Sequence, residues 1–236
     1  MLYDYGSVER EVAAHEVLSE SAKTSEAAGK QYVRQAFDHF ELSQDDRNYH
    51  FLIHEPLGAN LDFFLDITDR SLTIDYVQEL TYQILQALEF IHAAGVIHAG
   101  STLPLAHPIP GSPPSLDIQP KNILLRIADP TVLKDAEEAE IKEPSARKTT
   151  EQTVIFETRD LPGPVERWIW SGSRPVLCDF GEARTGKDSY TDLIQPAVYR
   201  APEVFLHLPW GMRVDIWNFG CMVGLVTASP FLSLIY

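Results

Sequence analysis

The sequence predicts an α+β chain, strand-bearing near its start and mainly helical thereafter. Three stretches carry that expectation. Gln31–Phe40 and Tyr49–His54 read as strands ending in Glu55-Pro56-Leu57-Gly58, a turn-like sequence. Leu72–Ala94 sets Val77, Leu80, Ile84, Leu88 and Ile91 at intervals of three and four, which makes one apolar stripe along a helix. Pro175-Val176-Leu177-Cys178 is a short apolar run that reads as a buried strand.

At 236 residues the chain can bury a sizeable core as one large domain or two small ones. Its hydrophobic share of 44% and charged share of 22% are those of a globular protein. A net charge of -15 argues against nonspecific binding to nucleic acid or to an anionic membrane, and suits a basic partner or simple solubility. Cys178 and Cys221 offer neither a disulfide framework nor metal-ligand spacing, so they are expected to be reduced thiols in an intracellular setting, cytoplasmic or nuclear. No signal peptide is expected, and the most apolar stretch, Cys221–Tyr236, follows Asp215 and Asn218 and reads as a buried helix.

Taken in order, Val8, Val12, His15 and Leu18 give the first stretch helical character. Ser19–Gly29 is small and polar and is expected to be a loop. After the Leu72–Ala94 helix, Gly95 supplies a stop, and Val96-Ile97-His98 begins the next segment. Ala99–Leu116 carries no charged residue and five prolines, which disfavours helix and sheet. It is expected to bulge into solvent as a loop, leaving both anchors in place. Ile123-Leu124-Leu125 reads as a strand, and Asp135–Glu140 as a short solvated helix within an acidic spacer running on to Arg174. Asp215-Ile216-Trp217 opens a final helix to which Trp217, Phe219, Val223 and Val226 are expected to supply core.

The chemistry-bearing residues cluster around three motifs. Asp179-Phe180-Gly181 follows the strand at Pro175, with a carboxylate suited to holding a metal, a Phe able to pack beneath it and a Gly that lets the chain turn. Asp117-Ile118-Gln119-Pro120-Lys121-Asn122 lies upstream and Ala201-Pro202-Glu203 downstream. In this order the three resemble the protein-kinase signature set. The phrases Ile118–Asn122, Leu177–Arg184 and Gln195–Arg200, with the acidic spacer, resemble the SR-protein-kinase-like group of fungal serine/threonine kinases. The resemblance covers about Glu9 to Gly220.

That resemblance implies a two-lobed fold, incomplete in both lobes: a partial small lobe and hinge over 1–57 and a partial large lobe over 58–236, with an insertion at 99–116. It implies transfer of the ATP γ-phosphate to Ser or Thr of a protein substrate, Arg-Ser-rich splicing factors being the class implied, with ATP and Mg2+ as cofactors and no direct nucleic acid or membrane partner. Asp117 would accept the proton of the substrate hydroxyl, and Asn122 and Asp179 would ligate magnesium. His54 would stand at the back of the adenine pocket, and the backbone of Glu55 and Leu57 would hydrogen-bond the base. Glu11 resembles the helix glutamate that pairs with the ATP lysine. Asp215 would accept backbone N–H bonds from the catalytic loop.

The chain also departs from the family. His98 and Asp117 are separated by eighteen residues where the pattern has one, an excess of seventeen with a composition like translated non-coding sequence. Gln119 stands where the family has a Lys that touches the transferred phosphate, which weakens transition-state stabilisation. Leu116 stands where loop-phosphorylated kinases carry an Arg, so the loop after Gly181 is expected to be ordered by packing. No Gly-rich loop or Val-Ala-x-Lys strand is present, so little phosphotransfer is expected of the chain as written. A catalytically dead kinase-like scaffold is therefore the competing reading. A small-molecule phosphotransferase shares the Asp-x-x-x-x-Asn spacing but not Ala201-Pro202-Glu203 or Asp215-Ile216-Trp217.

Overall fold

The computed structural model describes residues 5–44, 47–68, 72–100, 120–150, 154–163, 173–197 and 199–232. The elements are α1 (Tyr5–Thr24), β1 (Ala36–Gln44), β2 (Arg47–His54), α2 (Leu61–Ile67), α3 (Ile74–Ala93), β3 (Val96–Ile97), β4 (Ile123–Leu125), α4 (Thr131–Lys142), β5 (Arg147–Thr149), β6 (Val154–Phe156), β7 (Pro175–Leu177), β8 (Arg184–Thr185), α5 (Pro202–Phe205) and α6 (Arg213–Leu232). Among the described residues the strands form four antiparallel pairs, β1–β2, β3–β8, β4–β7 and β5–β6. No helix among the described residues is long and apolar enough to cross a membrane.

Helix α3 is the axis of the core. Thr73 caps its start by accepting the Tyr76 N–H on Oγ1 at 3.3 Å, and Gly95, with φ +78°, turns the chain away at its end. The expected stripe is buried at Leu80, Ile84, Leu88 and Ile91, with Ala87 and Phe90 beside it. It shares one buried cluster with Ala14 and Leu18 of α1, Leu61, Phe64 and Leu65 of α2, Ile123 and Leu125 of β4, Leu177 of β7, and Phe219 and Met222 of α6. A second cluster around Trp210 joins Ile97 and Ala99 to Ile194, Ala201, Val204 and Val214.

The N-terminal third corrects two expectations. Ser19–Thr24 continues α1 rather than forming a loop, because Glu20, Ala22 and Lys23 are good helix formers and Lys23 pairs with Glu20 at 2.7 Å. Gln31 and Tyr32 belong to a 3-10 turn, Ala28–Tyr32, and the strand starts only at Ala36. The turn is fixed from both sides. Lys30 Nζ donates to the Ser25 carbonyl at 2.7 Å, near the end of α1. Gly29 presses on α3 so closely that a Cβ there would sit 1.8 Å from the Gln86 carbonyl oxygen.

Two further differences lie later. The acidic spacer carries the expected helix, α4, but also the exposed β5–β6 hairpin, which no apolar alternation announced. Among the described side chains of α6, the buried ones are Val214, Asp215, Asn218, Phe219 and Met222, one face at helical spacing. Trp217 points off that face and is 47% exposed, so it is not core. The side chain of Val226, like the insertion from 101 to 116 together with Asp117 and Gln119, lies outside the described residues.

Candidate active site

Strands β4 and β7 bring two of the motifs together. Their register sets Ile123 opposite Leu177, and the ladder continues when the Cys178 N–H donates to the Asn122 carbonyl at 2.9 Å. Asp179 follows directly, so it and Asn122 stand at the same end of the pair. Asp179 has φ +68°, a left-handed conformation that Asp tolerates better than most side chains and that releases the chain from the strand. Phe180 is fully buried beneath it, and Gly181 is in close contact with α1, where a Cβ would meet Ser7 Oγ at 2.6 Å.

His98 is locked between these pieces. Its ring Nε2 donates to the Cys178 carbonyl at 3.0 Å, while its own N–H and that of Ala99 donate to Oδ2 and Oδ1 of Asp215, each at 2.9 Å. Asp215 is completely buried, and its carboxylate also meets His92 Nε2 of α3 at 2.9 Å. A buried carboxylate needs such partners, and here it has three. The reward falls on the backbone it holds, since Ala99 sits at φ +63°, a conformation costing an ordinary residue roughly 1–2 kcal/mol.

Helix α1 supplies the opposite wall. Glu11 is partly buried there, and burial first, then the charge of Asp179, raises its pKa, while Arg34 acts in the other direction. His15, one turn on, lies with its ring centroid 5.3 Å from Phe180 and 5.0 Å from His54, and His98 completes the column at 5.0 Å from Phe180. Burial, aided by His54 and Arg34, lowers the His15 pKa to about 4. Cys178 is also shut away, its thiol pushed up to about 12 chiefly by burial, and both cysteines are free.

Glu55 and Leu57 lie in the connection after β2. The Glu55 carboxylate pairs with Arg126, whose other amino group donates to the Gln31 carbonyl at 3.0 Å. Beyond them, the Gly58 N–H donates to the Leu125 carbonyl at 2.8 Å and so fastens the connection to β4. His54 is held by its Nδ1, 3.0 Å from the Gln35 carbonyl oxygen. Asp117 and Gln119 fall outside the described residues.

No family model matches the chain. Among curated proteins it is 33% identical over 219 residues to a serine/threonine protein kinase of Aspergillus fumigatus, an alignment covering 92% of this chain and 47% of that protein. Its relatives are protein kinases. The serine/threonine-protein kinase AFC2 of Arabidopsis thaliana is 28% identical over 76% of the chain and 34% of its own length. The dual specificity protein kinase CLK4 of Homo sapiens is 26% identical over 76% of the chain and 29% of its own length. The chain thus spans about half the length of the first of these relatives, or less of the others.

The loop after Gly181 is held by protein contacts at several of its described residues. Arg10 bonds Gly181 and Glu182, Arg184 bonds Asp192 at 2.6 Å, and Trp210 donates its indole N–H to the Asp192 carbonyl at 2.7 Å. Gln195 Oε1 accepts the Ala201 N–H at 2.9 Å while its Nε2 donates to the Val214 carbonyl at 2.8 Å. The sequence marked this glutamine only within the Gln195–Arg200 phrase and gave it no role, and it did not mark Arg34 at all. Arg34 is fixed by its N–H to the Leu177 carbonyl at 2.9 Å and exerts its charge on Glu11, His15, His54 and Cys178. No motif marks it; its place follows from the parallel bridge of Val33 to Leu177.

Proposed function

We propose that the chain carries part of a serine/threonine protein kinase of the SR-protein-kinase-like group, acting on Arg-Ser-rich protein substrates in the cytoplasm or nucleus. The observation that carries this reading is the meeting of Asn122, Asp179 and His98 on the β4–β7 pair, with Asp215 bracing the His98 backbone. The two-lobed arrangement, with a small-lobe part over 1–57 and a large-lobe part over 58–236, belongs to the same reading.

In this reading Asp117 accepts the proton of the substrate hydroxyl, Gln119 stands beside the transferred phosphate, and the backbone of Glu55 and Leu57 faces adenine. The oxygen donors of Asp179 and Asn122 suit a hard cation. Asp179 and Asn122 would hold Mg2+, which neutralises developing phosphate charge when bound.

The test is phosphotransfer from ATP to an Arg-Ser repeat peptide, run beside calorimetric ATP–Mg2+ binding. Weak turnover abolished by Asp117→Ala supports the kinase reading. Nucleotide binding without turnover supports the scaffold, which the neutral Gln119 favours. Absence of both removes the nucleotide site from this chain.

A further inference from the structure

The β1–β2 hairpin carries a cluster of side chains that phosphotransfer does not use. Glu41 and His50 are direct partners in the antiparallel register. His39, two residues before Glu41, projects from the same face. The rings of His39 and His50 stand parallel within 4°, their centroids 5.8 Å apart. Glu41 Oε1 lies 3.3 Å from His50 Nδ1, and one donor atom from each of the three residues lies within 4.8 Å of the other two.

Two details favour a metal over a plain ion pair. Among the described residues, His39 Nε2 and His50 Nδ1 are shielded from water and make no hydrogen bond. His39 Nε2 has no partner, and His50 Nδ1 has only the Glu41 carboxylate at 3.3 Å, with which it makes no hydrogen bond; a cation coordinated by both lone pairs would satisfy them. The spacing fits as well. Donors bound at about 2.0–2.2 Å around a tetrahedral ion are about 3.3–3.6 Å apart, and Glu41 and His50 already stand so. Rotation of His39 about its side-chain bonds closes the remaining gap.

The geometry points to a divalent transition-metal site formed by His39, Glu41 and His50, with Zn2+ the best-suited ion. Two imidazoles and one carboxylate exclude Mg2+ and Ca2+ as favoured occupants, since those ions take oxygen donors. Three protein ligands leave a fourth position for water or for a donor from another molecule. The site clips β1 to β2 on the face opposite Phe40, Leu42, Tyr49 and Phe51, so occupancy stabilises the hairpin by mass action.

The experiment is Zn2+ titration of the full chain after chelator treatment, read by calorimetry and by the melting temperature. One equivalent is expected to bind and raise the melting temperature. His39→Ala and His50→Ala are each expected to weaken binding on the order of tenfold or more and to remove the thermal shift. Binding unchanged in both variants, or no binding by the parent chain, overturns the site. Should an alanine variant fail to fold, Co2+ bound to the parent chain decides the matter. A spectrum of nitrogen and oxygen ligation supports the site, and thiolate charge-transfer bands, which assign the ion to Cys178 or Cys221, overturn it.

Discussion

Arg10 donates its Nε–H to the Gly181 carbonyl at 2.9 Å and an Nη2–H to the Glu182 carboxylate at the same distance, so one side chain of α1 holds the start of the loop that follows Asp179-Phe180-Gly181. Both partners are partly buried, which strengthens the contact relative to an exposed pair. Arg10→Ala is expected to cost about 1–2 kcal/mol and to speed hydrogen exchange at the amides of Ala183, Arg184 and Thr185. Unchanged exchange there would show that the loop is held without Arg10.

Asp215 serves two backbone donors and one imidazole. Asp215→Asn keeps the shape but removes the charge and turns one acceptor into a donor facing an N–H. The expected loss is about 2–4 kcal/mol, read from urea unfolding. A loss near zero would mean that the His98 and Ala99 amides find other acceptors.

Gly29→Ala sets a methyl where the Gln86 carbonyl oxygen already lies. That oxygen is α3 backbone and cannot swing aside as a side chain would. The variant is expected to lose about 3 kcal/mol or more, or to misfold, by thermal melting. Gly186→Ala is a control for backbone strain alone, because its added Cβ meets nothing within 4 Å although its φ is +82°.

His15 gives the protein an acid sensitivity whose sign is fixed. Its folded pKa of about 4 lies below the unfolded value of 6.5, so between them the unfolded chain takes up a proton that the folded chain refuses. Stability from this group is intact above pH 6.5, falls as pH drops toward about 4 and levels off below that, by about 3 kcal/mol at most. His15→Leu is expected to flatten the slope in that window and to relieve the ring's unpartnered Nδ1. A slope unaltered by His15→Leu would place the sensitivity elsewhere.

Helix α3 and strand β7 were legible because periodicity and apolar runs are local signals, and Leu80, Ile84, Leu88 and Val176 all fall where those signals put them. The bracing role of Asp215 was legible only through the family pattern, since no local feature of Val214-Asp215-Ile216 tells a buried carboxylate from a surface one. Arg34 was not legible at all, and Gln195 was legible only as part of a family phrase, without its role. Each works on partners distant in sequence or through an uncommon backbone, Gln195 having φ +62°, and neither leaves a periodic trace. Phe37 was hidden for a related reason. The register shift between Ala36 and Asp38 gives β1 an extra residue there, and Phe37 is 66% exposed despite its apolar side chain.

The separation between His98 and its acceptor has a bearing on how the chain is made. Asp215 follows His98 by 117 residues. At about 5–20 residues per second, a ribosome needs roughly 6–24 s to go from one to the other. For that interval the α3 end of the nascent polypeptide exists without the carboxylate that satisfies its amides, and Phe180 arrives only late in the wait. Helix α3 can form early, but the His98 segment must stay hydrated until α6 emerges. Its final arrangement thus waits on α6, and this is where a chaperone holding the nascent chain would have something to protect.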